Sequence, residues 1–205
     1  EVDIEVRNEV QLLQRFNKDV MKTPDEKYLF QITGTEKLNN KIVIVGAGPA
    51  GLFCAYLLAQ NGYHPLIIER GEKVENRIKT VEEFWKTGKL NTLTKDPAHR
   101  MKKVFEIFVE CGANPDIMYD YKPHIGTDVL RKVVRNMRDK IIEMGGEFRF
   151  QTCLTDLHIK NHHLVEIEVN GKEMIPCSNL VLAIGHSARD TYKMLYNRGV
   201  TIIQK

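Results

Sequence analysis

The six residues Gly46-Ala47-Gly48-Pro49-Ala50-Gly51 constrain this chain more than any other feature. They follow Ile42-Val43-Ile44-Val45, an apolar, β-branched run of the kind buried on both faces of a parallel sheet. They open an apolar segment, from about Ala50 to Gln60, that reads as a helix stopped by Gly62. Leu66-Ile67-Ile68-Glu69 then reads as a second strand. Strand, crossover helix and strand fit within about thirty residues, the size of one βαβ unit.

In that context each glycine has a physical task. Gly46 permits the tight turn out of the strand, and Gly48 lets the backbone approach a pyrophosphate with no Cβ in the way. Gly51 lets the helix pack closely on the strand, helped one turn later by the small Ala55. The free N–H groups of Ala47 and Ala50, on either side of Pro49 at the positive end of the helix, would face phosphates. Glu69 ends the second strand 18 residues beyond Gly51. A carboxylate there can accept hydrogen bonds from the ribose hydroxyls of an adenosine, and it repels a 2′-phosphate, which disfavours NADP at this site. The expected ligand is a dinucleotide; the fingerprint alone does not choose between NAD and FAD.

The rest of the chain reads as follows. Glu9 to Val20 has helical spacing, Thr23-Pro24-Asp25 is a turn, and Tyr28 to Ile32 could form a short strand. Val81 to Trp85 reads as a short helix. Asp96-Pro97 is a helix start, followed by apolar residues at helical spacing from Met101 to Val109. Thr127-Asp128 starts another helix, whose apolar stripe runs from Val129 to Ile142 and which ends at Gly145-Gly146. Its opposite face carries Arg131, Lys132, Arg135, Arg138 and Lys140, read as a solvated face. Glu147 to Phe150 is a strand. Leu154 to Cys177 alternates in short runs broken at Asn161-His162-His163 and Asn170-Gly171, which predicts a small antiparallel meander. Leu180 to Gly185 returns as an apolar strand.

Composition excludes several classes. The formal charge of +3 is small, and the basic residues are interspersed with acids, which argues against nucleic acid as a partner. No apolar run approaches the roughly 18 residues of a membrane span. The acidic N-terminus has no signal-peptide pattern. The four cysteines, at 54, 111, 153 and 177, form no C-x-x-C pair, so neither zinc nor a redox dithiol is suggested. The expectation is a cytoplasmic protein acting on a small-molecule redox substrate, without a membrane.

The motif G-A-G-P-A-G at 46–51 resembles that of the two-dinucleotide-binding-domain flavoproteins. The Glu69-Arg70-Gly71 ending and Leu182-Ala183-Ile184-Gly185-His186 resemble theirs too. Val74 to Trp85, Pro123 to Arg131 and Gly185 to Tyr192 are similar to a bacterial family of FAD-dependent dehydrogenases of unassigned substrate (NAD/FAD-utilising dehydrogenases). The resemblance covers roughly residues 41–205. It implies an α/β fold in the glutathione-reductase-like class, a Rossmann-like parallel sheet with a small antiparallel meander. It implies FAD, with NAD or NADP as possible electron donor. It places Arg70, Ala183 and Gly185 at the cofactor and Leu154 at the adenine.

Two departures from that family stand out. The family carries a long glycine-rich run soon after Phe84-Trp85, whereas here Lys86 to Thr92 leads almost at once to Asp96-Pro97. A glycine-rich loop is therefore expected to be missing between 85 and 96. The family also completes its flavin site with a later Gly-Asp segment, and no Gly-Asp pair occurs here. Residues 41–205 are accordingly expected to be an incomplete FAD/NAD(P)-binding domain, and 1–40 an N-terminal segment left from a preceding domain.

Other candidates are less specific. Arg77 lies a short loop beyond the second strand, where it could reach a phosphate or adenine or remain in solvent. His124 reads as capping or structural. His186 and Ser187 form no dyad with an orienting acid. His162 and His163 sit in a polar turn rather than a metal site. Trp85 reads as helix packing. No residue is assigned to catalysis. The leading expectation is an FAD-dependent oxidoreductase. Its alternatives are an NAD-dependent dehydrogenase without flavin and a non-catalytic nucleotide-binding module that senses redox state.

Overall fold

Ile44 and Ile67 point to one side of a parallel sheet, while Val43, Val45, Leu66 and Ile68 point to the other. All six are buried, as a sheet covered on both faces requires. The computed structural model describes residues 4–16, 18–23, 27–73, 100–120 and 123–203. In chain order the elements begin with α1 (Glu9–Arg15), β1 (Val43–Val45), α2 (Pro49–Gln60), β2 (Leu66–Ile68) and α3 (Arg100–Glu110). There follow α4 (Thr127–Glu143), β3 (Glu147–Arg149), β4 (Leu154–Lys160), β5 (His163–Val169), β6 (Glu173–Pro176), β7 (Leu180–Leu182) and α5 (Arg189–Asn197). A short 3-10 turn, Pro115–Met118, lies between α3 and α4.

The sheet has the order β3-β2-β1-β7, with every neighbouring pair parallel. On one face α2, α3 and α4 bury Leu52, Ala55, Tyr56, Ile107, Val133, Met137 and Ile141 against Ile44 and Ile67. Each of the Leu, Ile, Val and Met side chains among them contributes roughly 1.5–3 kcal/mol of hydrophobic stabilisation. Phe53 of α2 meets Phe108 of α3 edge to face, with centroids 5.2 Å apart. The opposite face is covered by the antiparallel sheet β4-β5-β6 and by Leu195 of α5.

The expected βαβ unit, the helix from Thr127 and the meander all form. The stop at Gly62 is a Schellman arrangement: Gly62 has φ +79°, its N–H reaches the Ala59 carbonyl, and the Tyr63 N–H reaches that of Leu58. Asn161, His162, Asn170 and Gly171 all have positive φ, as mirror-image hairpin turns demand. Three ion pairs tie the layers together. Arg149 grips Glu173 with two bonds of 2.8 and 2.6 Å, Arg198, the C-cap of α5, grips Asp156 of β4, and Arg70 grips Asp190 of α5.

Some expectations are corrected. Residues 28–32 form no strand: no described strand pairs with them, and Leu29 and Ile32 are exposed. An extended segment without a ladder partner leaves its backbone groups to water. The N-terminal helix stops at Arg15 rather than Val20 and buries none of its residues. Ile142, assigned to the apolar stripe of α4, is exposed. The 81–85 helix, the Asp96-Pro97 start and the proposed loop junction at 85–96 lie outside the described residues. The 3-10 turn and α5 are additions that periodicity did not announce. Among the described residues no helix is long and apolar enough to cross a membrane, and no group of His, Cys, Asp and Glu could hold a metal ion.

Candidate functional site

The order β3-β2-β1-β7 means that the chain leaves β1 toward β2 on one side and finds β7 on the other. Ligands of open α/β sheets settle at such a reversal, outside the carboxyl ends of the strands. A cleft of about 630 Å³ opens there. Its lining includes Gly46, Ala47, Gly48, Pro49 and Ala50 from the glycine turn, Glu69 and Arg70 from the end of β2, and Ala183 and Gly185 beyond β7. Leu154, the first residue of β4, lies in the same wall.

The three glycines divide their work between fold and ligand. A Cβ on Gly46, whose φ is +104°, would stand 2.5 Å from the Ala183 carbonyl oxygen. A Cβ on Gly51 would stand 1.9 Å from the Gly46 carbonyl oxygen. Both are therefore demanded by the close approach of turn, helix and β7. A Cβ on Gly48 would meet nothing within 4 Å, and its φ of −73° suits any residue. Packing does not require glycine there. The open space lies on the cleft side, where a bound phosphate would need it.

Gly48 is also the N-cap of α2 and offers no side-chain acceptor, while Pro49 fills the first helical position. The free N–H groups of the first turn are thus left uncapped at the positive end of a twelve-residue helix. Glu69 is fixed from both sides: its carboxylate accepts the Ala47 N–H at 2.8 Å and the Gly71 N–H at 2.7 Å. This sets its orientation toward the turn and leaves further lone pairs on the two oxygens for hydroxyl donors.

Arg70 lines the cleft, and its guanidinium is bonded to Asp190 and to Cys153 Sγ. The hydrogen bond to Asp190 holds the guanidinium charged well above its ordinary range, and in turn holds the Asp190 carboxyl below the usual carboxylate range. Burial pushes up the thiols of Cys54, Cys111 and Cys177. Tyr56 donates to Glu110 Oε2 at 2.8 Å; burial, reinforced by that bond, raises its phenol. This bond joins α2 to α3 behind the glycine turn.

Of the expected site residues, all but Gly51 and Arg77 line this one cleft. Gly51 stands behind it in the packing role foreseen for it, and Arg77 lies outside the described residues. His124 lines a separate, smaller hollow beside Asn114 and Gly126. The Ser187 hydroxyl and His186 Nε2 are 3.2 Å apart on the surface. Sequence reasoning missed the wall formed by Phe148, Phe150, Val134 and Arg138, and the turn of α5 carrying Ala188, Thr191 and Tyr192. The signal for the latter was present: a strand ending in Gly185, at the far side of the reversal from β1, must deliver its following loop to the same cleft.

Residues 44–135 match the family model described as an NAD(P)-binding Rossmann-like domain. The chain is 39% identical, over 224 aligned positions, to an uncharacterized protein of Clostridium beijerinckii; all of this chain and 42% of that protein are covered. It is 32% identical over 114 residues to the NADPH-Fe(3+) oxidoreductase subunit beta of Geobacter sulfurreducens, covering 54% of this chain and 15% of that one. The chain thus spans less than half the length of either relative. Among solved structures, the crystal structure of Thermovibrio ammonificans THI4 superposes with a TM-score of 0.57 at 17% identity, over 79% of this chain and 64% of that one. The last comparison establishes the shared fold.

Proposed function

We propose that the chain, whose residues 44–135 match the NAD(P)-binding Rossmann-like domain model, is the adenosine-diphosphate-binding part of an FAD-dependent oxidoreductase. The observation that carries this reading is Gly48, a glycine that neither its backbone angles nor its surroundings require, placed where a phosphate would approach an uncapped helix. In this reading the turn from Gly46 to Ala50 holds the pyrophosphate and Glu69 the adenosine ribose, while Leu154 packs on the adenine. The flavin, when bound, supplies the redox chemistry. This chain's residues bind it, orient it and exclude water from its adenosine end.

One feature supports FAD over NAD as the resident group. The antiparallel meander packs on the parallel sheet and delivers Leu154 to the cleft, as the resemblance to the two-dinucleotide-binding-domain flavoproteins implies. The Geobacter relative is named as an NADPH-Fe(3+) oxidoreductase subunit, which supports a nicotinamide nucleotide as electron donor. In this proposal residues 41–205 are the nucleotide-binding unit and residues 1–40 connect it to a further part of a longer protein.

The test is the visible absorption spectrum of the freshly purified full-length protein, before and after denaturation. Flavin bands and release of FAD rather than FMN are expected. A colourless protein that stays colourless when FAD is added would overturn the proposal. NAD binding by that protein would favour a dehydrogenase without flavin.

A further inference from the structure

Glu69 and Arg70 are consecutive, and they hold opposite walls of the cleft. Glu69 takes the Ala47 amide of the glycine turn. Arg70 reaches the first turn of α5, where Nη1 donates to Asp190 Oδ1 at 3.3 Å and Nη2 donates to Asp190 Oδ2. Nη2 also donates to Cys153 Sγ at 3.1 Å, at the entrance to the meander. One guanidinium therefore joins the end of β2, the start of β4 and the start of α5.

That turn of α5 and its cap form part of the cleft. Ala188, Thr191 and Tyr192 line it, and Ala188 and Thr191 are buried. The Tyr192 hydroxyl donates to the Gly185 carbonyl at 3.0 Å and so ties α5 to the loop beyond β7. The far end of α5 is held separately, by Arg198 on Asp156. Among the described residues, Arg70 is the side chain that joins Asp190 to the sheet.

We propose that Asp190 is a positioning residue for cofactor binding, acting through Arg70 to hold the first turn of α5 as a wall of the nucleotide cleft. This rests on the reading of the cleft as the FAD site. The competing role for Arg70 is direct contact with a cofactor phosphate, and the two roles differ in sign. Removing the Asp190 charge frees Arg70 and makes the cleft more positive, so a direct phosphate contact would tighten. A clamp would loosen.

The experiment compares the wild-type full-length protein with Asp190→Asn, Arg70→Gln, the double variant and Asp190→Glu. FAD affinity is read by titration, and amide hydrogen exchange is read across residues 183–192. An exposed pair of this kind has a modest effect, so FAD affinity is expected to fall about threefold to fivefold in Asp190→Asn. Arg70→Gln should add little in that background, and Asp190→Glu should restore most of the loss. Exchange at residues 188–192 should rise in Asp190→Asn while β5 stays protected. Unchanged or tighter FAD binding by Asp190→Asn would overturn the proposal. If the wild-type full-length protein binds no FAD, the reading of the cleft fails instead. The exchange measurement, which needs no ligand, then still decides whether Asp190 fixes α5, and unchanged exchange would overturn the clamp.

Discussion

A methyl group at Gly51 would stand 1.9 Å from the Gly46 carbonyl oxygen, and neither backbone atom can swing aside. Gly51→Ala is therefore expected to destabilise the chain by about 4 kcal/mol or more, in the range reserved for severe core defects. Gly48→Ala meets no neighbour, and relief of the glycine's unfolded-state entropy predicts unchanged or slightly higher stability. Its dinucleotide affinity should fall by about tenfold or more, because the new Cβ stands where a phosphate must approach the turn. Urea unfolding and FAD titration of both variants check this. A Gly48→Ala variant that binds as wild type would remove the main support for the site.

Glu69 carries a second separation of roles. In Glu69→Gln one acceptor oxygen becomes an NH2 donor, which faces the N–H of either Ala47 or Gly71 donor to donor, with no acceptor between them. The expected loss is about 1–3 kcal/mol of stability. The lost negative charge should also raise the affinity for NADP relative to NAD, since the repulsion of a 2′-phosphate is gone. Thermal shift with each nucleotide reads both effects, and an unchanged NADP-to-NAD ratio would contradict the ribose assignment.

The βαβ core and half of the cleft were legible because they lie in one contiguous stretch, from Lys41 to Gly71. Local periodicity reports strand and helix there, and each glycine's task follows from its neighbours in the chain. The other half depends on pairings no local pattern announces. Arg70 and Asp190 are 120 residues apart, and they meet only because β7 lies beside β1 and delivers α5 to the same end of the sheet. Phe148 and Phe150 enter the cleft because β3 pairs with β2. Tyr28 to Ile32 shows the converse: a pattern suited to a strand finds no ladder among the described residues.

The cysteines give a chemical map of the cleft. Cys111 and Cys177 are buried with thiols pushed up by burial, and Cys54 is pushed up in the same way. Cys153 lies in the cleft wall beside Arg70. Brief treatment with iodoacetamide at mildly alkaline pH should modify Cys153 first, as read by peptide mass spectrometry. Saturating FAD should slow that modification and leave the other three sites unaffected. Equal labelling with and without FAD would place the cofactor elsewhere.

The Arg198–Asp156 pair makes a prediction with a defined sign. The hydrogen bond from Arg198, with the Leu157 amide, holds the Asp156 carboxyl below its ordinary value of 3.8. A carboxylate depressed in the folded state stabilises it fully above the unfolded value, and that contribution is lost as pH falls through the folded one. Asp156→Asn should thus be less stable than wild type at neutral pH, by up to about 1 kcal/mol for a pair this exposed. The gap between their urea midpoints should close in acid, below pH 3.8. A gap that persists there would assign the effect to shape rather than charge.

Glu69 and Arg70 also fix how the chain can change. Glu69 extends the β2 ladder, its amide donating to the Arg149 carbonyl at 2.9 Å. In an extended segment successive side chains leave on opposite sides. A single residue inserted or deleted between Leu66 and Arg70 would exchange carboxylate and guanidinium, turning the acid toward α5 and the base toward the glycine turn. The segment therefore behaves like a reading frame. Length can vary in the loops before Leu66 and after Gly71, but within those five positions one slip of parity scrambles both walls at once.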